Sequence, residues 1–411
     1  MSPAANPPKS RSRYAAKRDA IMAAATQVFS DQGVSGFTLA AVAKRMDLHP
    51  VSLTYYFKRK EDLAAAVLHE TIGRFGAMLE VAEQAQTAPE RLRRLIAAYF
   101  EVRRRIALEQ EAPLASFSEI RLIGGEVHRP LMDAFWALYV RMGRLLRSEA
   151  MPWMTAPRRH ALARLLVDQL GWADSWLEAY APEDYGRVAA RLAEVMIEGV
   201  AGRGQAWPDL PLLSLGAPEA QNDEVTRESF LVAATRLINR EGYRGASVDK
   251  ISAELKVTKG SFYHHNADKD ELAVACFLRS FDIVDDARRR AAQAGANGWE
   301  RLWLNVASLA LYQSSSADGR LMRNYATAAV PQETRKVVMR RFRQIGQAYA
   351  GLISDGIADG SLRAVDPFLA AQLQLVVFNS SMSMDPQGRP GETDGVLGAY
   401  VRPALMGFFV E

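Results

Sequence analysis

The sequence predicts a nearly all-α protein that contains two copies of one helical unit. Along most of the chain, apolar residues recur three and four positions apart, which is the period of an amphipathic helix. No segment shows the two-residue alternation that is typical of an exposed β-strand. The chain also matches itself at an offset of 209 positions. Together these patterns favour a duplicated helical fold over any fold that is built on a sheet.

The self-match pairs residues 18–68 with residues 227–277 without a gap. Of these 51 positions, 11 are identical, and most others keep their character, as in Val42/Ile251. A repeat at about half the chain length indicates a duplicated structural unit. The identical pairs include Ala24/Ala233, Ala25/Ala234, Thr26/Thr235, Gly33/Gly242, Gly36/Gly245, Ser52/Ser261, Lys60/Lys269 and Leu63/Leu272.

Composition narrows the class of protein. The 411 residues exceed one typical domain, and 49% hydrophobic with 24% charged residues fits a globular protein with a large core. The single cysteine, Cys276, excludes a disulfide framework and fits a reducing cytosol. The chain has no secretory signal and no apolar run of membrane-spanning length, so we expect a cytoplasmic protein without a membrane partner. A net charge of +4 weakly favours a polyanionic partner.

The start of the first copy reads as three short helices. An apolar stripe predicts a helix over residues 17–30 that stops around Gly33 and Gly36. Thr38 is a suitable N-cap for a second helix, and Pro50 suits the first turn of a third helix over residues 50–57. Two short helices joined by a tight turn, the second with a polar outer face, are typical of a helix-turn-helix.

Both copies resemble the DNA-binding signature of the TetR/AcrR family of transcriptional regulators. The resemblance covers about 47 residues in each half. It implies two copies of a three-helix DNA-binding domain, each followed by a helical effector-binding and dimerisation domain, which together form an intrachain pseudo-dimer. In the first copy it rests on Phe29, Gly33, Thr38, Val42-Ala43, Ser52-Leu53, Tyr56-Phe57, Lys60-Glu61 and Leu63. In the second it rests on Gly242, Ser247, Ile251, the run Val257 to His264, Lys269-Asp270 and Leu272.

The expected domains follow from this resemblance and from the repeat. A segment of residues 203–222, rich in proline and glycine, separates the halves as a linker. The predicted order is a basic disordered arm (1–13), a helix-turn-helix domain (14–60), a helical regulatory domain (61–202), the linker, a second helix-turn-helix domain (223–270) and a second regulatory domain (271–411). Amphipathic stretches predict the regulatory helices over residues 63–84, 89–109, 114–123, 130–149, 157–179, 183–201, 271–294, 299–313, 321–328, 332–359, 367–380 and 393–409.

Candidate DNA contacts of the first copy lie on the outer face of its third helix. Their hydroxyls suit phosphates or base edges, and Val51 suits a thymine methyl group. The resemblance places Thr38, Tyr56 and Lys60 at phosphate-contacting positions; for Tyr56 a packed ring with an exposed hydroxyl is the alternative, and for His49 a solvated turn residue. The candidates are Thr38, His49, Pro50, Val51, Ser52, Thr54, Tyr55, Tyr56 and Lys60.

In the second copy, Lys259 is the strongest candidate for a phosphate or guanine contact. His265-Asn266 replace an aromatic pair of the family pattern, so the end of this helix is expected to pack differently. Adjacent histidines point about 100° apart on a helix and lack a spaced partner ligand, so we expect no metal site. The candidates are Ser247, Thr258, Lys259, Gly260, Ser261, Tyr263, His264 and Lys269.

Charge distinguishes the two heads. Residues 1–70 hold ten Lys or Arg against six Asp or Glu, whereas residues 222–278 hold eight against nine. DNA affinity depends largely on phosphate neutralisation, so the first head is expected to bind more strongly. Its basic arm either lies in an adjacent minor groove or is a solvated tail.

The function that the sequence predicts is a DNA-binding transcriptional regulator, a repressor that a small, largely apolar effector releases from double-stranded operator DNA. The alternative is that only the first head binds DNA and the second half serves as an interaction or dimerisation module. No catalytic motif or cofactor-binding motif is present, so neither an enzyme nor a cofactor is expected. Pocket candidates, each also a plausible core residue, are Phe100, Phe117, Trp136, Tyr139, Trp172, Trp303, Tyr312, Tyr325, Phe342 and Phe378.

Overall fold

A computed structural model describes residues 9–117, 120–216, 226–265, 268–316, 320–323, 326–327, 330, 332–381 and 395–411. These residues confirm the all-α prediction: they form helices joined by turns, and their β-structure is limited to an isolated bridge between Ala201 and Leu362. Within the same residues no helix is both long and apolar enough to cross a bilayer.

The first half contributes eight α-helices from the described residues. They are α1 (Lys9–Gly36), α2 (Leu39–Arg45), α3 (Pro50–Thr54), α4 (Lys60–Glu83), α5 (Ala88–Ala107), α6 (His128–Leu145), α7 (Ala156–Trp172) and α8 (Tyr185–Glu198). The second half repeats the pattern with α9 (Arg227–Gly245), α10 (Val248–Glu254), α11 (Lys259–His265), α12 (Lys269–Ala294), α13 (Gly298–Ser314), α14 (Gln332–Ala358), α15 (Pro367–Ser380) and α16 (Arg402–Met406).

Residues with positive φ angles occur at the same aligned positions in the two heads. Gly33 breaks α1 with φ 64°, and its counterpart Gly242 breaks α9 with φ 76°. The turn before each recognition helix contains a residue in the left-handed region, Asp47 (φ 52°) or Lys256 (φ 57°). Few side chains other than glycine adopt such angles. The duplication seen in the sequence is therefore also a duplication of turn geometry.

The described residues divide into two compact units, and the division does not fall between the halves. One unit contains the described residues up to Ala77 together with Arg105–Leu138. The other contains Met78–Arg104 together with the described residues of Tyr139–Glu411. The second unit therefore combines late helices of the first half with the whole second half.

Within that second unit, α7 and α8 of the first half pack against α15 and α16 of the second. The Gln169 Nε2 donates to the Leu373 carbonyl at 2.7 Å, and the Trp172 Nε1 donates to Gln372 Oε1 at 3.0 Å. Ser380 donates to Asp168 Oδ2 at 2.8 Å. The side chains of α15 are buried along nearly its whole length. We call this contact the seam. It joins residues about 200 positions apart, and its side-chain hydrogen bonds satisfy polar groups that packing shields from water.

The predicted linker is docked on helices of the second half over the part that the structure describes. Residues 205–216 have no regular secondary structure. Trp207 meets Trp303 edge to face at 5.8 Å between ring centroids, and the Trp299 Nε1 donates to the Ala206 carbonyl at 2.9 Å. The Leu213 amide donates to Ser308 Oγ at 3.0 Å. The chain therefore leaves α8 along a fixed path as far as residue 216.

Four predicted segments need correction. Residues 9–13 are helical rather than a disordered arm, because α1 continues without a helix breaker from Lys9; residues 1–8 lie outside the described part. The described residues of 114–123 form irregular backbone with a 3₁₀ turn at Ile120–Leu122, and those of 321–328 form no α-helix, with irregular backbone at 321–323 and 3₁₀ structure at 326–327. The third helix ends at Thr54, three residues early, since the chain turns at Tyr55 and Tyr56. Short apolar runs alone do not separate helix from buried loop.

Candidate nucleic-acid interface

In the first head, side chains cap the N-termini of both α2 and the recognition helix, α3. Thr38 Oγ1 accepts from the Ala41 amide at 3.0 Å, which confirms the predicted N-cap of α2. His49 caps α3, because its Nδ1 accepts from the Val51 amide at 3.4 Å, and Pro50 occupies the first turn. Satisfying these amides fixes where each short helix begins.

Burial separates the inner and outer faces of α3. Leu53 is fully buried, as are Ile21 of α1 and Val42 of α2. Val51 is 67% exposed and Tyr55 is 77% exposed, although both are large apolar or aromatic side chains. Ser52, Thr54 and Lys60 are exposed as well. An apolar patch left open at the start of a recognition helix suits contact with thymine methyl groups.

Three tyrosines form a cluster beside the end of α3. Tyr14 from α1 stacks on Tyr56 with ring centroids 4.9 Å apart, and it meets Tyr55 edge to face at 6.2 Å. Tyr56 is half-buried by this contact. The ring of Tyr56 thus packs against α1, and the choice between a phosphate contact and a packed ring stays open.

The second head repeats this architecture with different side chains. Ser247 Oγ accepts from the Lys250 amide at 3.3 Å, and Thr258 Oγ1 accepts from the Ser261 amide at 3.3 Å. Phe262 is fully buried against Phe230; the aligned positions in the first head are the buried residues Leu53 and Ile21. The exposed positions of the recognition helix α11 are Lys259, Gly260, Tyr263 and His264, with Tyr263 at 58%. The side chain of His265 and Asn266 lie outside the described part.

Cations of the second head are held by carboxylates of the same head. Lys259 Nζ lies 2.6 Å from Asp249 Oδ1, and Lys250 is paired with Glu241. Lys269 Nζ lies 4.3 Å above the ring centroid of Tyr243, whose hydroxyl donates to Asp270. These contacts reduce the positive charge that the second head offers to a phosphate.

An ion pair occurs at the same place in both heads with its charges exchanged. In the first head Arg45 Nη1 lies 3.4 Å from Asp31 Oδ2. In the second head Arg240 Nη2 lies 3.2 Å from Glu254 Oε2. The repeat aligns Asp31 with Arg240 and Arg45 with Glu254. Both heads therefore have an ion pair between their first and second helices. Its cation lies on the second helix, α2, in the first head and on the first helix, α9, in the second head.

A narrow apolar cavity lies in the second half. Its volume is about 10 Å³, the space of roughly one water molecule. Two of the predicted pocket residues, Phe342 and Phe378, line it, and Trp172 contacts Phe342 at 5.2 Å between centroids. The lining residues are Ser280, Phe281, Val284, Leu321, Met322, Phe342, Ile345, Leu375 and Phe378.

The remaining pocket candidates lie elsewhere. Trp136 is 40% exposed on α6, away from the residues that line this cavity, and its place in an effector pocket stays a prediction. Tyr325 lies outside the described residues. Packed positions are found for Phe100 beside Trp176, Phe117 between Phe75 and Phe135, Tyr139 in the core, Trp303 against Trp207, and Tyr312 beside Gly216.

Residues 320–323 connect this cavity to the second head. Leu321 and Met322 line the cavity, and the same segment is hydrogen-bonded on three sides. Asn239 of α9 donates to the Leu321 carbonyl at 2.9 Å and accepts from the Arg323 amide at 3.1 Å. The Ser280 Oγ accepts from the Met322 amide at 2.9 Å. We call this contact the clamp.

Arg279 adds a second connection to the same head. Its Nε donates to Glu228 Oε1 of α9 at 2.6 Å, and its Nη1 donates to the Arg320 carbonyl at 2.9 Å. Burial alone lowers the pKa of Arg279, but the hydrogen bond that it donates to Glu228, the charge of that carboxylate and the contact with Tyr312 together raise the pKa. The guanidinium therefore remains charged between the head and the clamp.

Sequence reasoning missed Asp249 and Tyr14 beside the recognition helices and Asn239 in the buried clamp. A charged residue at position 249 where the repeat has Ala40 was the available signal for Asp249. For Asn239 the partners come from backbone 82 and 84 positions away, which no periodicity indicates.

Comparisons with known proteins agree with this architecture. The family described as bacterial regulatory proteins, tetR family, matches residues 21–67 and again residues 230–276. A second model, the tetracyclin repressor-like C-terminal domain, matches residues 295–394. Both TetR-type matches begin and end within the two heads.

Individual relatives match parts of the chain. The transposon Tn10 TetC protein of Escherichia coli is 36% identical over 84 residues, which is 20% of this chain and 42% of TetC. The HTH-type transcriptional regulator HbdR of Aromatoleum sp. (strain CIB) is 23% identical over 155 residues, 38% of this chain and 67% of HbdR. The solved structure of AibR in complex with isovaleryl coenzyme A and operator DNA has a TM-score of 0.36 and 24% identity, covering 44% of this chain and 97% of AibR.

Proposed function

We propose that this chain, a regulator of the TetR family that contains the DNA-binding domain of that family twice, is a ligand-responsive repressor that binds one operator through both heads. One observation supports the two-headed part most directly. Each head caps a recognition helix whose first two residues remain exposed, and these residues differ: Pro50 and Val51 against Lys259 and Gly260. Two unlike reading surfaces favour an operator with dissimilar half-sites.

A single chain takes the place of a homodimer in this proposal. The seam joins α7 to α15 through buried and half-buried hydrogen bonds, which is the arrangement expected of an intrachain pseudo-dimer. Covalent linkage keeps the halves at an effective concentration on the order of mM, so assembly does not depend on protein concentration. In this proposal each head enters a major groove of the same operator. A cytoplasmic location follows as part of the same proposal, because the operator lies there.

Selection of bound duplexes from a random pool tests the two-headed proposal. Wild-type protein should recover an asymmetric site, and sedimentation should give one chain per duplex. Tyr55→Ala should erase the preference in one half-site, and Lys259→Ala should erase it in the other. Recovery of a perfect palindrome, with two chains bound, contradicts the proposal.

Release by a small apolar effector is the second part of the proposal. The apolar cavity has room for little more than one water molecule, so a ligand must widen it. Leu321 and Met322 would then move, and the clamp would transmit the movement to Asn239 in α9. A ligand acts by differential affinity for the two arrangements, and that difference sets the largest possible effect on DNA binding.

Filling the cavity with a side chain tests this part without knowledge of the effector. Val284→Phe adds a ring beside Leu321, at a packing cost of about 1–3 kcal/mol. We expect weaker operator binding at retained helical content. Unchanged operator affinity in a folded Val284→Phe variant contradicts the proposed path.

A second candidate function is that only the first head binds DNA. The observation in its favour is that Lys250 and Lys259 are paired with carboxylates of their own head. Under this alternative, Tyr55→Ala abolishes operator binding whereas Lys259→Ala leaves the affinity unchanged.

A further inference from the structure

The start of the second recognition helix presents a donor and an acceptor side by side. Lys259, the first residue of α11, holds its ammonium 2.6 Å from the carboxylate of Asp249 in the first turn of α10. Both side chains stay largely in solvent, with 59% of Lys259 and 65% of Asp249 exposed. The pair therefore forms part of the surface that faces a partner.

The first head shows what this surface is like without the pair. The repeat aligns Asp249 with Ala40 and Lys259 with Pro50, so the first head has neither charge at these positions. The second internal pair, Glu241 with Lys250, is likewise absent from the first head. The chain thus contains its own reference surface for the Asp249–Lys259 pair.

A carboxylate at this position opposes binding that depends on phosphates alone. Sequence-independent DNA binding comes from neutralising phosphates with Lys and Arg. Beside Asp249, the Lys259 ammonium is already neutralised, and the carboxylate itself repels a phosphate. Contact with the backbone therefore gains little from Lys259 while Asp249 remains beside it.

A G·C base pair offers both groups a partner at once. In the major groove, guanine presents the acceptors O6 and N7, and the paired cytosine presents the N4 amino donor next to them. An ammonium donates to the guanine acceptors, and a carboxylate accepts from the cytosine amino group. Because an exposed ion pair is worth only about 0–1 kcal/mol, little opposes its rearrangement onto the base edges.

We propose that Asp249 and Lys259 together read a G·C base pair in the second half-site, and that Asp249 is the specificity-determining residue of the second head. The proposal rests on the proposed function in one respect, that the second head enters a major groove. Asp249 stabilises contact with the correct base pair and repels phosphates, so the second head binds DNA selectively rather than strongly.

The test compares Asp249→Asn and Asp249→Ala with the wild-type chain. Affinity is measured by fluorescence anisotropy on two labelled duplexes, one of random sequence and one recovered by wild-type selection, at several salt concentrations. Asp282→Asn is the matched control, because it removes the same charge from α12, a helix that follows the head. Thermal unfolding checks that the exposed substitutions leave the fold intact.

We expect both Asp249 variants to bind the random duplex about threefold to tenfold more tightly, since Lys259 becomes free to neutralise one phosphate. The slope of log affinity against log salt should steepen by about one for the same reason. Replacing the G·C pair by A·T in the selected duplex should cost the wild-type chain about tenfold or more in affinity and the variants clearly less. Asp282→Asn should match the wild type in both measurements.

The reverse substitution gives an independent check in the first head. Ala40→Asp introduces the carboxylate where the first head has none, and it should lower affinity for the random duplex without creating G·C selectivity, because Pro50 supplies no ammonium. If the Asp249 variants bind both the selected duplex and random DNA as the wild type does, the inference about Asp249 is overturned. The proposed two-headed function is then unaffected. A chain whose second half-site can be scrambled without loss of affinity overturns the proposed two-headed function and the inference with it.

Discussion

The first head buries Leu53 of its recognition helix and Ile21 of α1, whereas the second packs Phe262 on Phe230 at the aligned positions. Both pairs are fully buried, and the larger pair sits under a recognition helix that runs to His265 rather than stopping after a single turn. The N-cap of the second helix and the left-handed turn residue keep their positions in the two heads, although the residue types differ. Buried positions therefore changed in matched pairs that preserve the helix-turn-helix frame.

The surfaces differ in another way. The first head leaves apolar and hydroxyl groups open at its recognition helix, while the second places charges there and pairs them internally. The exchanged pair Asp31–Arg45 and Arg240–Glu254 shows that a bridge can invert its charges without losing its place. A duplicated fold constrains which positions touch, and it leaves the sign of their charges free.

The largest expected difference between the heads concerns their cores. Phe262→Ala should destabilise the second head by about 3–5 kcal/mol, because it removes a fully buried ring and leaves a cavity against Phe230. Leu53→Ala, the matched change, should cost about 2–5 kcal/mol in the first head. Hydrogen exchange of amides in α11 and α3 measures each loss locally. A Leu53→Ala variant that loosens both heads equally would mean that they do not unfold independently.

The clamp should give the next largest effect, and only in the second head. Asn239→Ala leaves the Leu321 carbonyl and the Arg323 amide without their partner from α9, at a cost of about 1–3 kcal/mol. We expect this variant to weaken the response of operator binding to Val284→Phe. Ser30→Ala changes the aligned position in the first head and serves as the control. An unaltered response in Asn239→Ala would exclude the clamp as the connection.

Lysines at the aligned positions 60 and 269 should contribute unequally to DNA affinity. Lys60→Ala should weaken operator binding about fivefold and reduce the salt slope by about one, as expected for one phosphate contact. Lys269→Ala should have a smaller effect, because that ammonium lies over the Tyr243 ring close to Asp270. Anisotropy titrations at several salt concentrations distinguish the two. Equal losses would show that the second head exposes as much usable charge as the first.

The smallest effect is expected from exchanging the two charges of the Asp31–Arg45 ion pair. Replacing Asp31 with Arg and Arg45 with Glu together installs the polarity of the second head in the first. Because the pair is exposed, we expect a change of less than about 1 kcal/mol in the free energy of unfolding. Arg45→Glu alone places two carboxylates together and should be the less stable variant. A double variant as unstable as the single one would show that the bridge has a fixed polarity.

Local signals in the sequence were enough for much of the frame. The cap at Thr38 and the exact extent of α15 were predicted because capping residues and helix-starting prolines act within a few positions. The predictions for 114–123 and 321–328 were wrong because a buried loop satisfies its backbone through distant side chains, as Asn239 and Gln313 do at Leu321. The Asp249–Lys259 pair likewise depends on how α10 meets α11, which composition does not reveal.

The seam has a consequence for synthesis of the chain. Gln169 of α7 finds its partner at Leu373, 204 residues later. At a translation rate of about 5–20 residues per second, the apolar face of α7 waits roughly 10–40 s for α15 to leave the ribosome. During that interval the apolar face of α7 is exposed, and a chaperone or a neighbouring nascent chain can bind it. Swapped dimers, in which α15 of one molecule reaches α7 of another, are the misassembly that crowded polysomes should produce.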